Sequence, residues 1–227
     1  DPRATLHCSS YLGILDVLSE IGISSVDRVL LDLGLSSDQL ADRERGFGFR
    51  AGGPLDLRFN PAETPMSAAD VLRVASESGL EDYFRVYGEE RFSKPIASAI
   101  VARRASKPIE TVDDLVEVVA SAVPEQFQRT ARVHPATRIF QALRIVVNDE
   151  LSHLLVALAE NIPKALKPGG RAVIITFHSL EDRIVKDRFR DQSIWENLTS
   201  KPVTASPAEA RLNPRSRTAK VRAAKRK

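Results

Sequence analysis

At 227 residues, against about 150 per domain, the chain is long enough for one large domain or a domain with a sizeable insertion, and it can bury a core unaided by disulfide or metal. Its 43% hydrophobic and 28% charged content excludes intrinsic disorder, and its lone cysteine, Cys8, excludes an internal disulfide or a zinc-type cysteine set. The net charge of +3 conceals an asymmetry, because residues 197–227 carry nine Lys or Arg and one acid, Glu209, which makes that stretch +8 and the body −5. A basic tail of this kind suits contact with a polyanion, and the plainer reading is a solvated, disordered end. No apolar run approaches the roughly 18 residues of a membrane span, and the first residues lack the zones of a signal peptide. A cytoplasmic location is expected. The chain opens on Asp1 rather than Met, so an upstream segment is expected to be missing.

In chain order, Val29-Leu30-Leu31-Asp32-Leu33, closed by Gly34, predicts a buried parallel strand ending at Asp32 or Leu33. Ligands of open α/β sheets sit beyond such strand ends. The next stretch reads as helices with their own start signals. Ser67 with Asp70, and Thr111 with Asp114, have capping-box spacing. Leu80, Tyr83, Phe84 and Tyr87 share a helical face that Gly88 ends. Ser93 with Pro95 opens a helix that turns Ile96, Ile100 and Val101 inward and carries Arg103 and Arg104 in its last turn, where cations suit the dipole.

From Ile139 through Leu143, Val146, Val147, Leu151 and Leu154 to Leu158 the apolar period predicts one long amphipathic helix. The Lys167-Pro168-Gly169-Gly170 turn then leads into a second buried strand, Arg171 to Phe177, an α/β crossover. The domain reading is an α/β domain made of 1–45 and 137–227, interrupted by a helical segment at 46–136 expected to recognise substrate.

Glycine-rich phosphate loops are absent: Gly46-Phe47-Gly48 lacks a third glycine, and Gly169-Gly170 precedes a strand rather than a helix. Asp32 through Gln39 places an acid, two hydroxyls and an amide past the first strand, acceptors able to grip a base or an amine. Their plainer reading is a loop cap followed by a helix start. Phe177 through Arg183, with His178, Glu181 and Asp182, lies past the second strand, so the two clusters could face one site. A Ser-His-Asp hydrolase can be assembled from Ser36 or Ser37, His178 and Asp182, but no G-x-S-x-G elbow supports it and Asp182 equally suits a helix first turn. His134 and His153 read as structural or exposed. No H-x-x-x-H pair supports a metal. The tail from Asn213 to Arg222 alternates cations with small residues, which suits phosphate contact through Arg215, Arg217, Lys220 and Arg222, and it has no aromatic residue for base stacking.

Seven collinear blocks resemble the bacterial 16S rRNA cytosine-N4 methyltransferases. They are Leu30 to Ser37 with Gln39, Arg45 to Phe49, Gly53 to Arg58, Tyr87 to Arg91, His134 to Ile145, Phe177 to Lys186 and Asn213 to Arg217. The resemblance implies a Rossmann-like class I methyltransferase domain, truncated at its N-terminus and interrupted by an all-helical insertion. It also implies methyl transfer from S-adenosylmethionine to N4 of a decoding-region cytosine, position 1402 of 16S rRNA, within the small ribosomal subunit. Asp32 and Gln39 occupy the family's donor-lining positions, and Ser10, beside Tyr11, stands where the family has an aromatic donor contact. The family's first strand, its glycine-rich loop and the following strand with its ribose-binding acid would all precede Asp1. The isolated chain is therefore expected to hold S-adenosylmethionine weakly or not at all.

Cytosine N4 is a weak nucleophile because its lone pair is delocalised into the ring. An acceptor that holds the amine hydrogens favours the attacking form while the site aligns the reactants. Asp32 or the Ser36/Ser37 pair is the expected acceptor, with His178 as proton acceptor after transfer. Carbon-5 methylation would need a cysteine nucleophile, for which Cys8 lacks the setting. The competing expectation is an inactive fragment or relative acting as an RNA-binding or ribosome-assembly factor.

Overall fold

The structure, a computed structural model, describes residues 3–48, 52–130 and 134–227. Its elements in chain order are α1 (Ile14–Glu20), β1 (Val26–Asp32), α2 (Ser37–Ala41), α3 (Ala68–Val74), α4 (Glu77–Val86), α5 (Ser93–Ser106), α6 (Val112–Ala122), α7 (Glu125–Thr130), α8 (Ala136–Asn148), α9 (Glu150–Val156), α10 (Ile162–Ala165), β2 (Leu166–Thr176), α11 (Ser179–Arg188), β3 (Trp195–Asn197), β4 (Val203–Thr204), α12 (Pro207–Leu212) and β5 (Lys220–Arg226). The chain divides into two compact units, Asp1–Gly34 with Leu151–Lys227, and Leu35–Glu150.

The first unit is α/β. Its sheet runs β1-β2-β5-β3, with β4 also paired to β5. β1 and β2 are parallel, and β5 returns antiparallel to β2 from Thr176↔Lys220 to Arg171↔Lys225. The core beneath it gathers Val29, Leu158, Ile174, Val185, Phe189, Trp195 and Ala224.

Three expectations are corrected in this unit. β1 is buried on one face only: Val29 is 7% exposed but Leu30, pointing the other way, is 65% exposed. β2 begins at Leu166 rather than Arg171, and the Pro168-Gly169-Gly170 turn forms an irregularity inside it, the register stepping from Val26↔Leu166 to Arg28↔Arg171. Gly169, at φ +81°, supplies the left-handed residue this needs. The basic tail, finally, is not a solvated end, because its last residues form β5 inside the sheet.

The second unit is helical among the described residues, apart from an isolated bridge between Pro54 and Thr111. Ser67 and Thr111 cap α3 and α6, each accepting from an N3 amide while Asp70 or Asp114 returns a bond to the cap. Leu80 and Phe84 of α4, Ile96 and Ile100 of α5, Leu115 and Val119 of α6, and Ile139 and Leu143 of α8 are each 0% exposed and form one core. The long helix expected over 139–158 is broken: α8 ends at Asn148, Asp149 turns left-handed at φ +48°, and α9 starts afresh before a π turn at Ala157–Asn161. Because α8 packs on α3, α4 and α6, the compact unit extends to Glu150, past the 136 read from the sequence, and starts at Leu35 rather than 46.

A knot of loops closes the front of this unit. The segment from Arg43 to Gly46 approaches Gly53 to Asp56 so closely that a Cβ on Gly46 would lie 2.3 Å from Pro54 O, and one on Gly53 would lie 2.2 Å from Arg43 O. Arg45 donates to Phe59 O (2.6 Å) and Arg58 O (3.1 Å). Buried Asn148 donates to Leu57 O and accepts from Phe59 N (2.8 and 2.7 Å). The blocks Arg45 to Gly48 and Gly53 to Arg58 thus hold one another in place; Phe49 lies outside the described residues.

Candidate functional site

In the α/β unit the polar residues collect at the carboxyl ends of the parallel pair. Asp32 closes β1 opposite Ile175, and Leu33 N donates to Ile175 O at 3.1 Å, which carries the pairing one step further. Gly34 then turns at φ +97°, with the Phe177 ring 3.4 Å from where its Cβ would stand. Asp32 is exposed, and its carboxylate makes no hydrogen bond or ion pair among the described residues.

His178 caps α11. Its Nδ1 accepts from Glu181 N at 3.4 Å, and Glu181 Oε2 accepts from Phe177 N (2.8 Å) and His178 N (3.2 Å). Nε2 lies 3.2 Å from Glu181 Oε1 but off the hydrogen-bonding line, which leaves it buried without a bond among the described residues. With Nδ1 accepting, the proton of the neutral ring sits on Nε2.

Asp182, one residue on, faces the tail. Arg222 Nε reaches Asp182 Oδ1 at 2.6 Å, and Lys220 Nζ reaches Oδ2 at 3.2 Å. Burial by itself raises the Asp182 carboxyl, but the hydrogen bonds from Arg222 and Lys220 outweigh it and hold the group below the usual carboxylate range. This corrects two assignments. Arg222 is 5% exposed and committed to Asp182, so it is a core ion pair rather than a phosphate contact, and Lys220 shares the same carboxylate. The hydrolase triad fails for the same reason, since Asp182 serves the cations. Arg215 and Arg217 remain exposed on a 3₁₀ turn at Pro214–Thr218. Ser10, also exposed, caps the turn at Tyr11–Gly13 by accepting from Leu12 N.

In the helical unit Ser36 and Gln39 form a capping box at the start of α2: Ser36 Oγ accepts from Gln39 N (3.1 Å) and Gln39 Oε1 from Ser36 N (3.0 Å). The Gln39 Nε2 amide makes no bond among the described residues. The sequence places Glu181 and Asp182 in the cluster past the second strand, but the capping role of Glu181 and the pairing of Asp182 with Arg222 and Lys220 escape it. The first was detectable as the partner three residues after a cap, but histidine is not a usual cap; the second joins residues far apart in sequence and left no local signal.

A parallel strand pair with polar clusters at its carboxyl ends, extended by an antiparallel strand in a mixed α/β unit, is consistent with a class I methyltransferase. The family described as MraW methylase matches residues 2–227. Three curated proteins named ribosomal RNA small subunit methyltransferase H are similar to the chain. That of Rhodopirellula baltica is 48% identical over 228 residues, spanning 100% of this chain and 69% of that protein. That of Acaryochloris marina is 52% identical over 200 residues (88% and 65%), and that of Geotalea uraniireducens 45% over 240 (98% and 76%). The chain belongs to the MraW methylase family, a family of methyltransferase enzymes, and spans from 65 to 76% of the length of these relatives. No helix among its described residues is long and apolar enough to cross a membrane.

Proposed function

We infer that this protein transfers a methyl group from S-adenosylmethionine to the exocyclic N4 of a decoding-region cytosine in 16S rRNA. The observation that carries the reading is the exposed, unpartnered Asp32 carboxylate at the end of a parallel strand, in a chain of this family. An acceptor of this kind suits an amine, and its chemistry fits the donor's own amino group as well as N4 of the base. S-adenosylmethionine supplies an electrophilic methyl carbon when bound. Asp32, with the Gln39 amide, is assigned to holding that donor. Asp32 or Ser36 is assigned to holding the N4 hydrogens so that the lone pair is directed away from the ring. His178 accepts from Glu181 N through its Nδ1 and is assigned to orienting the start of α11, with proton acceptance after transfer as the alternative role. Arg215 and Arg217 are assigned to RNA phosphates, which position the substrate without reading its sequence.

The test is calorimetric titration of S-adenosylmethionine into the chain and into a form preceded by a family-type glycine-rich segment, each with and without Asp32→Ala, followed by methyl transfer to small ribosomal subunits and mapping of the product. Donor binding that Asp32→Ala weakens, with the methyl on N4, supports the reading. Binding by neither form, or a methyl on carbon 5 or on a ribose oxygen, overturns it, and RNA binding without donor binding would leave the assembly-factor alternative.

A further inference from the structure

The loop between α4 and α5 presents a cation that the internal structure does not use. Gly88 approaches α8 so closely that a Cβ there would meet Phe84 O at 2.6 Å and Arg138 O at 2.8 Å. Glu89 turns left-handed at φ +48°, and Glu90, 6% exposed, accepts from Phe92 N at 2.9 Å with Arg138 at 3.7 Å. The loop is therefore fixed on both sides of Arg91.

Arg91 itself is exposed, and its guanidinium makes no hydrogen bond or ion pair among the described residues, although two glutamates precede it. It lies instead over two rings, 3.9 Å from the Phe127 centroid and 4.6 Å from that of Phe92. The rings pack 5.2 Å apart, and Phe127 remains 37% exposed. Lys94, in the first turn of α5, is likewise exposed and without a bonded partner among the described residues.

We propose that Arg91, propped on Phe127 and Phe92, is a stacking platform for an unpaired base of single-stranded RNA, with Lys94 taking the adjoining phosphate. A guanidinium braced by rings is a flat, weakly hydrated cation whose N–H groups are all available outward. A nucleotide matches it with a π face and an anion. The tail has cations but no aromatic residue and so offers contacts to a backbone, whereas this surface adds a flat face for a base. The proposal rests on RNA being the substrate.

Fluorescence anisotropy of a labelled single-stranded oligoribonucleotide, titrated with the 227-residue chain at several salt concentrations, tests it. Arg91→Lys keeps the charge and loses the plane, and it should weaken binding about fivefold or more with the salt dependence unchanged. Lys94→Ala, which removes the phosphate contact, should instead make the log–log salt slope shallower by about 0.7. Phe127→Leu, which keeps an apolar brace, should behave like Arg91→Lys, with thermal unfolding confirming that each variant is folded. If Arg91→Lys and Phe127→Leu bind like the parent while a double Arg215→Ala, Arg217→Ala variant binds less tightly, the RNA reading survives and the platform is only an internal brace. Absence of RNA binding by the parent would overturn both.

Discussion

Arg222 donates to Asp182 across 2.6 Å, tying β5 to the first turn of α11 with side chains only 6% and 11% exposed. Removing one partner of such a pair strands the other charge where water cannot reach it. Asp182→Ala should therefore lower unfolding stability by about 3–5 kcal/mol, read by urea denaturation. Arg217→Ala, at an exposed site, should change it by less than about 0.5 kcal/mol.

The loop knot predicts unequal glycines. Gly53→Ala should cost roughly 3 kcal/mol, combining a left-handed backbone with a clash against a backbone oxygen. At Gly22, φ +71° with open space around it, the same change should cost only about 1–2 kcal/mol. Thermal melts of the two variants would show the difference.

Asn148 answers two backbone groups of the chain across the core of the helical unit, Leu57 O and Phe59 N. Asn148→Ala leaves both without it and should cost about 2–3 kcal/mol, measurable by denaturant unfolding.

Acid should act on the capped helices. Asp70 is held at about 2 by hydrogen bonds from Ser67 and Arg73. Asp114 is also held at about 2, where burial pulls it upward but hydrogen bonds from Thr111 and Lys107 prevail. Both folded values lie below the ordinary 3.8. The stability they contribute is therefore complete above about pH 4 and is lost as the pH falls towards 2. Helical circular dichroism followed down that range should fall, and the drop should be smaller in Asp114→Asn.

His178→Asn supplies another good helix cap, whereas His178→Ala removes the cap and should cost about 1 kcal/mol. If His178 only orients α11, the Asn variant should retain methyl transfer within a few-fold of the parent. A loss common to both variants would restore it as a proton acceptor.

The elements legible in the sequence were those written locally. Ser67 with Asp70 and Thr111 with Asp114 satisfy their own helix ends within one turn, so spacing alone located α3 and α6. The break at Asp149 was hidden because the apolar period continues across it from Val147 to Leu151. β5 was hidden because Arg222 stands on its buried face, where a pattern reader expects a hydrophobe, and its partner Asp182 lies on another element. At the candidate site, the strand-end acid Asp32 was readable from a short apolar run closed by glycine. The commitment of His178 to Glu181 was not, because it depends on which ring nitrogen faces the helix.

The α/β unit is assembled from two separated stretches, while the helical unit is one uninterrupted run. During synthesis β1 precedes its parallel partner β2 by the whole of the helical unit, and β5, which pairs with β2, follows later still. The helical unit has all its residues by Glu150. The parallel pair whose end carries Asp32 can therefore close only after the whole helical unit has left the ribosome, so the helices have the opportunity to pack before that pair exists.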